Sequence, residues 1–296
     1  MEVPRRSVLT LGLGVLAAGC SQHAAGSPTA THSPSTHSPS TRSTAPPAPT
    51  PPTSPVALPA VAAWRPGPGE LVPACKLAAV RWIASRGNSA DTALQVIDAQ
   101  YGGLLADTAS VLVVTRSWRR SGGEVRSGGH SFDVRLTRSG SGWRVTAVHP
   151  SRPGPRTPSP SRRARRVLAS ERISLPPAAA ADVASGQVHD SVLAALLAVS
   201  RSHRIDVSVI RSGHPLHVFG TTRLSDHPQG RAFDTWAVDG HAVVDPRTSR
   251  ALVEDYMHAV AAAGSYNVGG PYLLGAAPQW FSDDTHHDHV HAGFLT

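Results

Sequence analysis

The chain has 296 residues, of which 40% are hydrophobic and only 16% are charged, with 26 glycines and 26 prolines. That hydrophobic content is enough for a folded core, whereas the proline content indicates that part of the chain forms connectors. The net charge of +8 comes almost entirely from arginine. Such a charge would favour binding to nucleic acid, an anionic membrane or an acidic wall polymer. Alternatively, it reflects only a GC-rich genome, which favours arginine over lysine. Because basic and aromatic residues are not interleaved as in nucleic-acid-binding modules, we expect no nucleic-acid partner.

Residues 1–20 have the pattern of an export signal. Arg5 and Arg6 precede an apolar run over residues 8–18, which is too short to span a bilayer. Small residues before Cys20 predict a lipoprotein signal peptide with a lipid on that thiol, and the arginine pair also resembles a twin-arginine signal. We therefore expect an extracytoplasmic protein, lipid-anchored to the outer face of the cell membrane. The alternative is a short N-terminal helix of a cytosolic protein.

Residues 21–60 consist mainly of Ser, Thr, Pro, His and Ala. Such a composition buries too little apolar surface to offset the entropy of ordering, so we predict a disordered tether. If Cys20 carries a lipid, Cys75 has no partner for a disulfide. We expect Cys75 to be buried and inert.

Residues 61–150 predict a small α+β domain. Leu77, Val80 and Ile83 recur at helical spacing, and a second helix is predicted over residues 91–105 after Asn88-Ser89. Three strands are predicted over residues 110–118, 130–136 and 143–148. The expected arrangement is two helices packed on a three-stranded antiparallel meander, with a supporting or binding role.

Residues 151–172 are rich in Pro and Arg and predict a basic linker, and residues 173–296 predict a second α+β domain. Helices are expected over residues 190–202 and 248–263. Strands are expected over residues 205–210, 266–268 and 289–294, with a hairpin of residues 231–238 and 241–244 around Asp239-Gly240. The expected architecture is a small, mostly antiparallel sheet flanked by helices.

Two segments of the second domain are rich in possible metal ligands. His227 and Asp234 are seven residues apart, and Gly230 lets the chain turn so that both side chains converge. His289 and His291 alternate along a predicted strand and therefore lie on one face. Zinc binds imidazole nitrogen and carboxylate oxygen, and a catalytic zinc keeps one position open. The alternative is a solvated polar loop.

The first segment combines five fixed positions that precede a distant His-x-His: Ser225, His227, Gly230, Ala232 and Asp234. This pattern resembles the zinc D-Ala-D-Ala carboxypeptidases and dipeptidases and the LAS-type murein endopeptidases, whose zinc fold Hedgehog domains share. The resemblance covers the last third of the chain. It implies zinc on His227, Asp234 and His291, with Ser225 and Arg211 on the substrate side. Arg211 is also expected to take part in catalysis, by stabilising the oxyanion together with zinc.

The sequence departs from this family at the general base. Many relatives have Glu three residues before the last His, where this chain has Asp288. In the His-x-His branch the first His takes that role, so we rank His289 first and Asp288 second, either of which could instead orient a ligand.

The resemblance implies a monomeric zinc peptidase that hydrolyses D-amino-acid-containing peptidoglycan stem peptides. The first alternative is a non-catalytic, zinc-stabilised module that binds the wall or a protein. The second alternative is a scaffold lipoprotein in which the domain of residues 61–150 does the binding.

Overall fold

The computed structural model describes residues 56–296, which lie within one compact unit, Thr53–Thr296. The predicted export signal, the lipidation site Cys20 and the tether up to residue 55 lie outside the described residues. Among the described residues, no helix is both long enough and apolar enough to cross a membrane.

The predicted α+β class is confirmed. The helices are α1 (Pro73–Gly87), α2 (Arg162–Leu168), α3 (Pro177–Ser185), α4 (Asp190–Val199) and α5 (Arg250–Ala262). The strands are β1 (Thr92–Leu104), β2 (Thr108–Ser121), β3 (Glu124–Gly128), β4 (Ser131–Ser139), β5 (Gly142–Pro150), β6 (Ile173–Ser174), β7 (Ile205–Val207), β8 (Ala232–Val238), β9 (His241–Ala242), β10 (Asn267–Gly269), β11 (Trp280–Phe281) and β12 (Val290–Gly293).

The first sheet is antiparallel, in the order β1-β2-β4-β5, with β3 paired to β2. The predicted helix over Leu77–Ile83 is confirmed as α1, which begins at Pro73, where the missing N–H costs no hydrogen bond. One face of α1 packs on the sheet through a shared core that includes Cys75, Val80 and Tyr101. Cys75 is fully buried as expected, and burial raises the pKa of its thiol to about 12.

The helix predicted over residues 91–105 is wrong, because this segment is strand β1. Asn88, expected to begin that helix, instead ends α1 by donating a side-chain hydrogen bond to the Ala84 carbonyl at 3.0 Å. Apolar residues cover both faces of β1, and bulges interrupt its alternation, so the segment lacks the period-two pattern of a half-exposed strand. A single helix therefore packs on five strands, where two helices on three strands were expected.

The second sheet is mixed, in the order β11-β10-β12-β8-β7-β6, with β9 paired to β8. The hairpin around Asp239-Gly240 is confirmed, and both residues adopt the positive φ (49° and 82°) that a tight two-residue turn requires. The helices predicted over residues 190–202 and 248–263 are confirmed as α4 and α5, each of which is a few residues shorter than predicted. Helix α2 lies in the segment expected to be a linker, and its Ala164 and Val167 are buried in the core of this sheet.

The two sheets meet through a small apolar core. Leu112 and Val114 of β2 pack against Val209 beyond β7, with Ile97 of β1 beside them. The first sheet is consequently covered by α1 on one face and by the second sheet's residues on the other. This contact brings β1 beside the loop that precedes β12.

We expect Leu112→Ala to lower the free energy of unfolding by about 2–5 kcal/mol, because Leu112 is fully buried and its loss leaves a cavity between the sheets. Denaturant unfolding of the full chain measures this change. Leu216→Ala is the matched control, because Leu216 is 57% exposed, and we expect it to change the stability by less than about 0.5 kcal/mol. Equal effects of the two substitutions would contradict a core between the sheets.

Candidate metal centre

Asp234 and His291 are direct neighbours across two paired strands. Strand β12 pairs antiparallel with β8, and the register sets His291 opposite Asp234. Directly opposed residues point to the same face of a sheet, so both side chains extend to one side. The sequence predicted that Asp234 lies on a strand and that its side chain converges with that of His227, seven residues earlier. The position of Asp234 in the structure agrees with the predicted strand.

His227 reaches the same point from the turn that precedes β8. Gly230 has a φ of 72°, and a Cβ there would lie 2.1 Å from the Gln187 carbonyl oxygen, so only glycine fits this turn. The Nδ1–H of His227 donates to the Ile210 carbonyl at 2.8 Å. That hydrogen bond fixes the ring and leaves the lone pair of Nε2 facing Asp234 and His291.

The three side chains present one donor atom each to a common point; we call these atoms the donor triangle. His227 Nε2 lies 3.1 Å from Asp234 Oδ1 and 3.2 Å from His291 Nδ1, and the third edge is 3.0 Å. Donors on a tetrahedral zinc, at about 2.0–2.1 Å from the ion, lie about 3.3 Å apart. Two imidazole nitrogens and a carboxylate oxygen with these separations fit a zinc ion.

The surroundings of two of these donors hold them in the protonation state that a metal requires. Burial lowers the pKa of His291 to about 4, so its imidazole is neutral at neutral pH. Burial alone would raise the pKa of Asp234, but the imidazoles of His227 and His289 hold it well below its ordinary value. Neither donor therefore needs to lose a proton at neutral pH before it binds a cation.

His289 lies beside the donor triangle, and Asp288 lies behind it. His289 Nε2 is 3.8 Å from Asp234 Oδ1, whereas its Nδ1 is 2.6 Å from Asp288 Oδ1. The other oxygen of Asp288 accepts from the backbone N–H of Tyr101 at 3.0 Å and lies 2.6 Å from Lys76 Nζ. Of the two residues ranked as bases from the sequence, only His289 adjoins the triangle, and Asp288 orients it.

A second group of acidic and histidine side chains lies around Lys76. Donor atoms of Glu70, His287 and Asp288 lie within 4.8 Å of one another, which is compatible with a metal. However, the buried ammonium of Lys76 forms ion pairs with both carboxylates. Burial would lower the pKa of Lys76, but Asp288 and Glu70 raise it above its ordinary value, so the lysine itself is the cation of this group.

His214 is a further candidate donor, which the sequence offers only as a possible fourth ligand of a non-catalytic zinc site. Its ring stacks on His227 with centroids 4.1 Å apart, and its donor atom lies within 4.8 Å of those of His227 and Asp234. Its Nδ1 is 3.0 Å from the Pro215 carbonyl oxygen, which leaves Nε2 free to face the triangle.

The donor triangle opens into a cavity of about 760 Å³, which we call the site cavity. Its walls include residues 101–105 of the first sheet, residues of the loop 218–227 and the segment 283–286. Ser225 and Arg223 line it. Arg223 was not identified from the sequence, because it precedes the motif in an irregular loop.

Arg211 does not line this cavity. It lines an adjoining one of about 480 Å³, which shares His214, and its backbone N–H donates to Asp182 at 3.1 Å.

No protein-family model, curated protein or solved structure matches this chain significantly. The arrangement of the site residues is therefore the basis for a functional proposal.

We expect the purified full chain to bind one zinc ion, because the donor triangle has the size of one face of a tetrahedral zinc site. His227→Ala, Asp234→Ala and His291→Ala should each abolish tight binding, measured by elemental analysis after dialysis. His241→Ala is the control, because His241 is exposed on β9, away from the triangle. Equal zinc content in the ligand variants and the control would contradict the assignment.

In the metal-free protein, we expect the imidazole of His291 to titrate near pH 4, because burial disfavours its charged form. An unfolded histidine titrates near pH 6.5, so between these values the unfolded state binds more protons. The contribution of His291 to the free energy of unfolding therefore falls as the pH falls through this window. Heteronuclear NMR, with His291→Asn to assign the signal, measures the midpoint, and a value near 6.5 would contradict burial.

Proposed function

We propose that this chain is an exported, lipid-tethered zinc peptidase that hydrolyses D-amino-acid-containing peptidoglycan peptides. The single observation that carries the proposal is the donor triangle of His227, Asp234 and His291, which lines the site cavity with His289 beside it. Residues 173–296 would then have the zinc fold of the D-Ala-D-Ala peptidases. The tether through Cys20, the extracytoplasmic location and the monomeric state belong to the same proposal.

His289 is the general base in this proposal. Zinc in such a site supplies polarisation of the substrate carbonyl and activation of water for attack. The Nε2 of His289 faces the triangle and takes the proton of the attacking water, then returns it to the leaving amine. Although burial lowers the pKa of His289, the carboxylates of Asp234 and Asp288 raise it overall in the metal-free protein.

Asp288 orients this base. Its 2.6 Å contact with His289 Nδ1 directs Nε2 to the triangle. Lys76 and other neighbours offset its burial and keep the pKa of Asp288 well below its ordinary value, so it is an anion at neutral pH. The shorter Asp side chain at the family's Glu position thus supports the base and does not replace it.

The site cavity suits a peptide. Its volume of about 760 Å³ is within the range of about 300–1,000 Å³ that is typical of ligand sites. Ser225 and the positively charged Arg223 line it, so a carboxylate of the wall peptide would meet a cation there. Arg211 would contact a more distant part of the same peptide, because its cavity adjoins the first one at His214.

A second candidate function is a zinc-stabilised module without catalysis. His214 favours it, because an imidazole stacked 4.1 Å from His227 is close enough to serve as a fourth protein ligand. Four protein ligands close a zinc site, and the cavity would then bind a wall peptide or a protein without hydrolysis. The absorption spectrum of the cobalt-substituted protein, compared between the wild type and His214→Ala, distinguishes the two coordination sets.

We expect the zinc-loaded full chain to release D-Ala or cleaved stem peptide from muropeptides, and a chelator to abolish this activity. His289→Ala should lower kcat by about 10²–10⁴-fold, because it removes the base, while one zinc per chain is retained. Mass spectrometry of the products and elemental analysis measure the two quantities. His241→Ala controls for the loss of an imidazole elsewhere. Absence of turnover on every muropeptide with zinc fully bound would reject the enzyme and favour the binding module.

A further inference from the structure

We infer that the first sheet and its helix are part of the metal centre, because they supply two buried positioning residues, Gln100 on β1 and Lys76 on α1. Gln100 holds the carboxylate of Asp234, and Lys76 holds Asp288 and through it His289. This inference rests on the proposed zinc site. It assigns to the segment of residues 61–150, which the sequence suggested only as a support or a binding domain, a direct role in the geometry of that site.

Gln100 is hydrogen-bonded at both ends of its amide. Its Nε2 donates to Asp234 Oδ2 at 2.7 Å, and its Oε1 accepts a hydrogen bond from the hydroxyl of Ser208. The side chain is only 1% exposed, so water does not compete for these contacts. With Oδ2 engaged by the amide, Asp234 presents Oδ1 alone to the two imidazoles, which favours a ligand bound through one oxygen.

A bulge in β1 aims Gln100 at the site. Before the bulge at Val96 and Asp98, the even-numbered residues of the strand face α1; after it, the odd-numbered residues Ala99 and Tyr101 do. Gln100 therefore lies on the opposite face, toward the second sheet. Bulges are enriched beside functional sites because one extra residue redirects the side chains that follow.

Lys76 is the only lysine in a chain that otherwise uses arginine for positive charge. It is fully buried and lies 2.6 Å from Asp288 Oδ2, with Glu70 as its second partner. A compact ammonium fits where a planar guanidinium would need more space. The backbone N–H of Tyr101 binds the same oxygen of Asp288, which leaves Oδ1 to hold His289.

A purely structural contact between the sheets explains these residues poorly. The apolar core of Leu112, Val114 and Val209 already joins the two sheets. The polar atoms of Gln100 and Lys76 are instead directed at one oxygen of the proposed metal ligand and one oxygen of the residue that orients the proposed base. Groups that hold ligands in this way tune metal affinity and activity by about 10- to 100-fold.

The test compares Gln100→Ala with Gln95→Ala in the full chain. Both substitutions remove a glutamine from β1, but Gln95 lies before the bulge and is half-buried. Zinc affinity is measured by competition with a chromophoric chelator, and folding by circular dichroism. We expect Gln100→Ala to weaken zinc binding by about 10- to 100-fold and Gln95→Ala to leave it within about twofold. Gln100→Glu should weaken it at least as much, because it sets a second carboxylate against Asp234.

Lys76→Met tests the second positioning residue. We expect it to lower kcat by about 10- to 100-fold with little change in KM or zinc content, since it releases Asp288 from its fixed position. If Lys76→Met does not fold, the comparison of Gln100→Ala with Gln95→Ala decides the inference alone.

The outcomes separate the inference from the proposed function. If the wild-type chain binds no zinc, the proposed function fails. If the wild type binds zinc and Gln100→Ala binds it equally well, or the two glutamine variants lose the same affinity, the positioning role is overturned while the zinc site stands.

Discussion

The meeting of three lone-pair-bearing atoms in a buried space is the constraint on which the rest of the site depends. His227 Nε2, Asp234 Oδ1 and His291 Nδ1 lie within 3.2 Å of one another, and their side chains are at most about one-tenth exposed. In a medium of low polarity, such atoms repel unless a proton or a cation lies among them. The surrounding polar contacts can be understood as supports for this convergence.

These supports come from three separate parts of the chain. The Ile210 carbonyl orients the ring of His227, the cross-strand register aligns Asp234 with His291, and Gln100 engages the outer oxygen of Asp234. Each contact restrains one donor, so little reorganisation is required of the protein when a cation binds. In the same way, Asp288 restrains the orientation of His289.

The first sheet combines two tasks that are usually separated. One of its faces forms an ordinary apolar core with α1, whereas the other packs against the second sheet through Leu112, Val114 and Val209. A separate polar cluster contains Lys76 of α1 with Glu70 and Asp288, and burial raises the pKa of the neighbouring Asp98 to about 7. Charges in such a position are stabilised only by mutual pairing, so the two sheets are tied together by electrostatics as well as by packing.

The sequence alone determined the features that depend on local pattern. It indicated the α+β class, helix α1, the Asp239-Gly240 hairpin and the candidate ligands, because turn residues, periodicity and motif spacing act over a few residues. It did not reveal β1, because a strand that is buried on both faces and bulged loses its alternation. Only the tertiary structure joined Gln100 and Lys76 to residues that lie 134 and 212 positions away, and it separated Arg211 from the site cavity. Such contacts arise when two sheets pack, and no local pattern encodes which side chains then meet.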